Sequence, residues 1–128
     1  MADKVLAIVE TAYRATLEEQ DDPIIWLSHS LRGAGADVHV LLRGAAVNYG
    51  VREQDASGLA FGARAQTQPP RIDHDLTSLI AKGADVYYVR DDAAARGIVG
   101  DDLIEGLTPV SADDLPALFS NFQHVWHF

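Results

Sequence analysis

The chain has 128 residues, no cysteine, and 10 Lys and Arg against 19 Asp and Glu, a formal charge of −9. That length suits one domain with its own core, and 48% hydrophobic with 23% charged residues is an ordinary globular balance. The missing cysteine excludes disulfides, thiolate nucleophiles and cysteine-ligated metals. The acidic balance, with lysine only at Lys4 and Lys82 and the arginines scattered, disfavours nucleic acid and anionic membrane as partners.

Lys4 to Glu10 is a near-continuous apolar run, as expected of a strand covered on both faces. No basic n-region or cleavage site accompanies it, and no apolar run reaches bilayer length, so the expected location is cytoplasmic. Thr11 to Gln20 is polar and reads as a loop or an irregular turn. Asp21-Asp22-Pro23 reads as a helix start, with an acidic cap and a proline in the first turn. Ile24, Leu27, Leu31 and Ala34 follow at helical spacing, Ile25 and Trp26 widen the apolar face, and Gly33 and Gly35 supply the stop. Ala36 to Leu42 is a second strand, ended by Arg43-Gly44, and Ala45 to Tyr49 is one helical turn.

From Gly50 to Arg71 the periodicity fades among Gly58, Gly62, Pro69 and Pro70; so long a connection is a functional loop or an oligomer contact, or it holds a short helix around Asp55 to Ala63. Asp73 to Lys82 is a helix with Leu76, Leu79 and Ile80 as its stripe, Asp73 or Asp75 as its cap and Gly83 as its stop. Val86 to Val89 is a β-branched and aromatic strand. It breaks into Arg90, Asp91 and Asp92, then three alanines and Arg96-Gly97, a short helix with a glycine stop. Asp101 to Gly106 reads as another short helix. Leu107 to Val110 reads as a brief strand that Pro109 confines to an edge. Ser111 to Asp114 resembles a capping box leading into the helix of Leu115, Leu118 and Phe119, where Pro116 is tolerated in the first turn. Gln123 to Phe128 closes the chain as a strand. Strands and helices alternate about five times, which argues for an α/β domain of three layers, α/β/α, with about five mainly parallel strands, flavodoxin-like in general form.

With this order of elements the whole chain resembles the DsrE/DsrF-like small proteins of sulfur transfer, which include TusBCD and YchN-type subunits. The local support is Val86 to Ile98 followed by Asp102 to Gly106: a strand, a polar turn, Arg-Gly-Ile and a short acidic helix. The resemblance implies a single DsrE-like α/β/α domain that assembles as a trimer or hexamer, with itself or with related DsrE-like subunits. In many members a cysteine at the end of this strand carries a persulfide, and some show the pattern C-x-x-C-x-x-x-R-G. On this chain the two cysteine positions fall on Val89 and Asp92, with Arg96 and Gly97 as the final pair. A persulfide carrier needs a thiolate, so the resemblance implies a retained fold and a lost sulfur chemistry. No cofactor and no metal is implied.

A carboxyl-terminal strand end is where open α/β sheets gather ligands. The candidate ligand-binding residues are therefore Arg90, Asp91, Asp92 and Arg96, with Tyr13, Asn48 and Tyr49 nearby, taking a small polar molecule. The plainer expectation for each is a solvated turn and a capped helix. His74 between Asp73 and Asp75 reads as an exposed helix start. His29 and His39 lack metal-type spacing, and His124 and His127 fall on opposite faces of a strand. Ser28 and Ser30 beside His29 form no nucleophile elbow. Gly33-Ala34-Gly35 follows a helix rather than a strand, and Thr11 to Thr16 is a poor nucleotide loop. Phe119, Phe122, Trp126 and Phe128, with Trp26, are candidate subunit contacts. The leading expectation is an oligomeric binding or accessory subunit without persulfide chemistry. The alternative is a small enzyme or sensor at the Arg90–Arg96 turn.

Overall fold

The structure is a computed structural model, and it describes residues 3–12, 22–54, 60–65 and 71–128. The chain runs β1 (Lys4–Val9), α1 (Pro23–Gly33), β2 (Asp37–Leu42), a 3-10 helix (Gly44–Gly50), β3 (Ala60–Phe61), β4 (Arg64–Ala65), α2 (Ile72–Ala81), β5 (Val86–Val89) and α3 (Arg90–Ala95). After a 3-10 turn at Gly100–Asp102 come β6 (Leu107–Val110), a second such turn at Ala112–Asp114, α4 (Leu115–Phe119) and β7 (His124–His127). Five strands form one sheet in the order β6-β5-β2-β1-β7, and every pairing in it is parallel. This is the α/β architecture expected from the alternation.

Each central strand is buried on both faces because its alternate residues serve different layers. Val9, Val40, Leu42 and Val86 pack with Ile25 of α1 and Leu76 and Leu79 of α2. Leu6, Ile8, Leu41 and Val89 pack on the other side with Leu115 and Leu118 of α4 and with Phe122. The first layer is much the larger. A five-residue α4 and the residues around it cover the second face.

Asp22 is the cap of α1. Its Oδ1 accepts the N–H groups of Ile24 (2.9 Å) and Ile25 (3.2 Å), and Pro23 occupies the first turn. The buried line of α1 is centred on Ile25 and Ser28, with Ile24 and Leu31 partly covered. Trp26, expected to widen the apolar face, is instead 59% exposed. Ser28 is tolerated inside because its hydroxyl donates to Ile24 O at 2.8 Å.

Four local expectations are corrected. Residues 60–63 of the expected 55–63 helix belong to the β3–β4 hairpin, which turns at Gly62 with φ 62°; residues 55–59 lie outside the described residues. Neither Asp73 nor Asp75 caps α2, which starts at Ile72 after Arg71 and has no side-chain cap. The 101–106 helix is only the turn at Gly100–Asp102, because Leu103 bridges to Val51 and Ile104 N–H donates to Gly50 O at 2.8 Å. Ser111 makes no side-chain cap; Asp91, just past the neighbouring strand β5, accepts the Ala112 N–H instead.

Candidate functional site

All five strands run the same way, so their carboxyl ends make one rim. Val89 ends β5 there. Its side chain is 1% exposed and lies among Leu6, Ile8, Leu41, Leu115 and Phe122. Alanines then carry α3 forward. Gly97 ends the turn with φ 72°, a conformation that a β-carbon disfavours.

The two carboxylates after Val89 are engaged in holding the rim together. Asp91 Oδ2 accepts Ala112 N–H at 3.1 Å, which fixes the segment after β6. Asp92 Oδ2 accepts Gly44 N–H at 2.7 Å, which ties α3 to the first residue of the Gly44–Gly50 helix. Arg96 Nη1 donates back to Asp92 O at 3.1 Å. Arg90 and Arg96 are exposed, Arg43 is half-buried, and Arg43 and Arg90 make no ion pair among the described residues.

The Gly44–Gly50 helix packs against α3, so the segment of Asn48 and Tyr49 does adjoin the Arg90–Arg96 turn. Asn48 Nδ2 donates to Ala45 O at 2.9 Å, and the backbone carbonyl of Asn48 accepts from Gln54 Nε2 at 2.6 Å. Tyr49 is fully buried in the larger layer, and its hydroxyl donates to Asp22 Oδ2 at 2.5 Å. Tyr13 lies outside the described residues.

Three polar groupings were not singled out from the sequence. At the amino ends of β2 and β5, His39 is buried on the α4 side. Its Nε2–H donates to Asp37 Oδ1 at 2.7 Å, while Nδ1 accepts Asp85 N–H at 2.9 Å. Both ring nitrogens are occupied, so His39 is a brace between strands rather than a free base. Burial alone would raise the Asp37 carboxyl. The hydrogen bond from His39, then the hydrogen bond and charge of Arg32 at 3.4 Å, outweigh burial and hold it below the usual carboxylate range. Tyr87 moves the other way: burial first, then the charge of Asp85 and the hydrogen bond to it, raise its phenol. Phe122 meets His39 and Tyr87 edge-on, with centroids 5.8 and 6.5 Å away. The Asp37-x-His39 spacing, which puts both on one face of a strand, was the available signal.

The second grouping is a surface cleft of about 260 Å³ between α1 and α2, lined by Trp26, His29, Asp75, Ser78 and Lys82. His29 bridges Asp75 O (2.8 Å) and Lys82 Nζ (3.2 Å). The third is a pair of imidazole–carboxylate contacts on β7. His124 meets Asp3 at 3.0 Å and His127 meets Glu10 at 2.6 Å, so the two imidazoles point to separate acids. His74 is exposed and accepts from Arg71 at 2.8 Å. Among the described residues no group of three His, Asp or Glu side chains is placed to hold a metal ion, and no helix is long and apolar enough to cross a membrane.

A parallel five-stranded sheet between a large helical layer and a small one, with a buried strand end beside an Arg-Gly turn, defines an α/β domain with a DsrE/YchN-like fold. Solved structures agree. The chain is similar to the ychN protein from E. coli, with TM-score 0.72 and 20% identity over 98% of this chain and 99% of that one. It is also similar to a conserved protein of unknown function from Bacteroides thetaiotaomicron, with TM-score 0.68 and 13% identity over 98% and 95%. A protein of unknown function from Methanobacterium thermoautotrophicum matches with TM-score 0.61 and 17% identity over 97% and 98%. At such identities the likeness is one of fold. No family model matches the chain, and no curated protein matches it in sequence.

Proposed function

We propose that the chain is a DsrE-like protein without persulfide chemistry, working as an oligomeric binding or accessory subunit, with sulfur metabolism as its setting. The observation that carries this reading is Val89. It occupies the strand end where DsrE-like proteins keep the carrier cysteine, it is sealed in the core, and the chain has no other thiol to take over. A valine cannot ionise and cannot hold sulfane sulfur. Asp92, at the second cysteine position, holds Gly44 N–H, and Asp91 holds Ala112 N–H. These contacts support a role in maintaining shape at the rim. Incubation with a low-molecular-weight persulfide donor should leave the intact mass unchanged, and a stable sulfur adduct would refute the reading. Native mass spectrometry of the protein from its own cells should show a homo-oligomer or a complex with a DsrE-like subunit; a lone monomer would refute the accessory role.

A second reading is favoured by Arg43 and Arg90, which have no ion-pair partner among the described residues. On that reading the rim binds a small polar anion. The ligand should then raise the melting temperature, and Arg96→Ala should abolish the shift. A broad metabolite panel with no effect removes this reading.

A further inference from the structure

The cleft between α1 and α2 is a polar site of its own, away from the rim. It takes Trp26 and His29 from α1 and Asp75, Ser78 and Lys82 from α2, around a space of about 260 Å³. Within each set the residues are three or four apart, so each set stands on one face of its helix. Lys82 is the C-cap of α2, ahead of β5, whereas the rim lies at the far end of that strand. Trp26 is 59% exposed beside it, a large aromatic ring that the folding of this chain leaves in solvent.

The hydrogen bonds in the cleft fix which groups remain available. Asp75 O can only accept, so His29 Nε2 carries a proton and donates to it at 2.8 Å. With that proton on Nε2, Nδ1 is the acceptor of the ring and takes a hydrogen from Lys82 Nζ at 3.2 Å. An ammonium has three hydrogens, so two are left, and Lys82 forms no ion pair with a carboxylate among the described residues. The Ser78 hydroxyl, one turn before Lys82, likewise makes no hydrogen bond among the described residues. An aromatic platform, a cation without a counter-ion and a hydroxyl therefore share one cleft.

We propose that this cleft binds a small aromatic carboxylate, one ring or a fused pair of rings bearing a single negative charge. The ring stacks on Trp26, and the carboxylate accepts from the remaining Lys82 hydrogens and from Ser78, a charge-assisted contact. Size sets the upper bound: sites for drug-sized ligands begin at about 300 Å³, and this cleft is smaller. Charge sets the class. Lys82 is one cation on a chain of formal charge −9, with Asp75 in the same cleft, so one negative charge is matched and a second is repelled. A doubly charged phosphate is thereby disfavoured.

The chain has two tryptophans, so the indole N–H region of a proton–nitrogen NMR spectrum holds two signals, and Trp26→Phe identifies the one that belongs to Trp26. Benzoate and indole-3-carboxylate serve as probes, beside their uncharged amides and inorganic phosphate. The Trp26 signal should move to saturation with a carboxylate while that of Trp126 stays in place. The amides should bind about fivefold more weakly, the size of one exposed charge contact, and Lys82→Gln should remove that difference. The proposal is overturned by no saturable movement up to about 10 mM of either carboxylate, or by an amide that binds the wild-type chain as well as its acid. A difference that persists in Lys82→Gln, or phosphate that moves the Trp26 signal as far at equal concentration, overturns it equally. The comparison of acid with amide uses the unaltered chain, so it is decisive even where a variant misfolds.

Discussion

The contact between Tyr49 and Asp22 offers the sharpest test of how this fold is held. Asp22 is fully buried, and its two oxygens serve different tasks: Oδ1 caps α1 through Ile24 and Ile25, and Oδ2 accepts the Tyr49 hydroxyl. One carboxylate thus fastens the start of α1 to the Gly44–Gly50 helix. Tyr49→Phe keeps the ring and removes the donor, and a hydrogen bond to a charged group contributes about 2 kcal/mol. Asp22→Ala removes the cap, worth about 1 kcal/mol, and the hydrogen bond to Tyr49 as well, for a total near 3 kcal/mol. The double variant should lose less than the sum, because each single change already breaks the shared bond, with a coupling of about 1–2 kcal/mol. Urea unfolding monitored by circular dichroism measures all four stabilities, and the midpoint should move without a change in slope. A Tyr49→Phe protein within about 0.5 kcal/mol of wild type, or strictly additive losses, would refute the reasoning.

Three further predictions concern other parts of the sheet. Asp37 has a lowered folded pKa, so its contribution is present above the unfolded carboxyl range near pH 4 and fades as pH falls through the folded value; Asp37→Asn should flatten the acid limb of a stability–pH curve, and an unchanged limb counts against the His39 and Arg32 contacts. Tyr87 has a raised folded pKa, so its contribution is present below about pH 10 and is lost as pH rises through the folded value; Tyr87→Phe should flatten the alkaline limb measured by thermal melting. Val89→Cys should place a thiol where the core is closed, so it should label slowly with a thiol reagent in the folded protein and rapidly in urea; rapid labelling of the folded form would mean that the strand end is open.

Much of the fold could be read from local pattern. The apolar run of Lys4–Val9, the acidic cap with Pro23, and the break from Val89 into Arg90-Asp91-Asp92 each act within a few residues, and each element stands where the pattern put it. The failures were also local in origin. Asp73, Asp75 and Ser111 have capping chemistry, but the helix start and the Asp91 carboxylate arriving from another segment decided the outcome. Trp26 fits an apolar stripe by spacing, yet the burial of α1 is centred on Ile25 and Ser28. At the rim, the contacts of Asp91 and Asp92 were not legible in the sequence because their N–H donors lie 21 and 48 residues away, beyond any sequence window.

By itself the sequence determined the alternation of strands and helices, the absence of any thiol, and a valine ahead of an Arg-Gly turn. These follow from periodicity and from residue chemistry, which need no knowledge of neighbours. Only the tertiary structure decided that Val89 is enclosed, that Asp22 binds Tyr49, that Asp92 binds Gly44, and that β7 lies open at an edge. The reason is that a carboxylate is committed by whichever donor the strand order brings within about 3 Å, and a strand is an edge only by virtue of what pairs beside it.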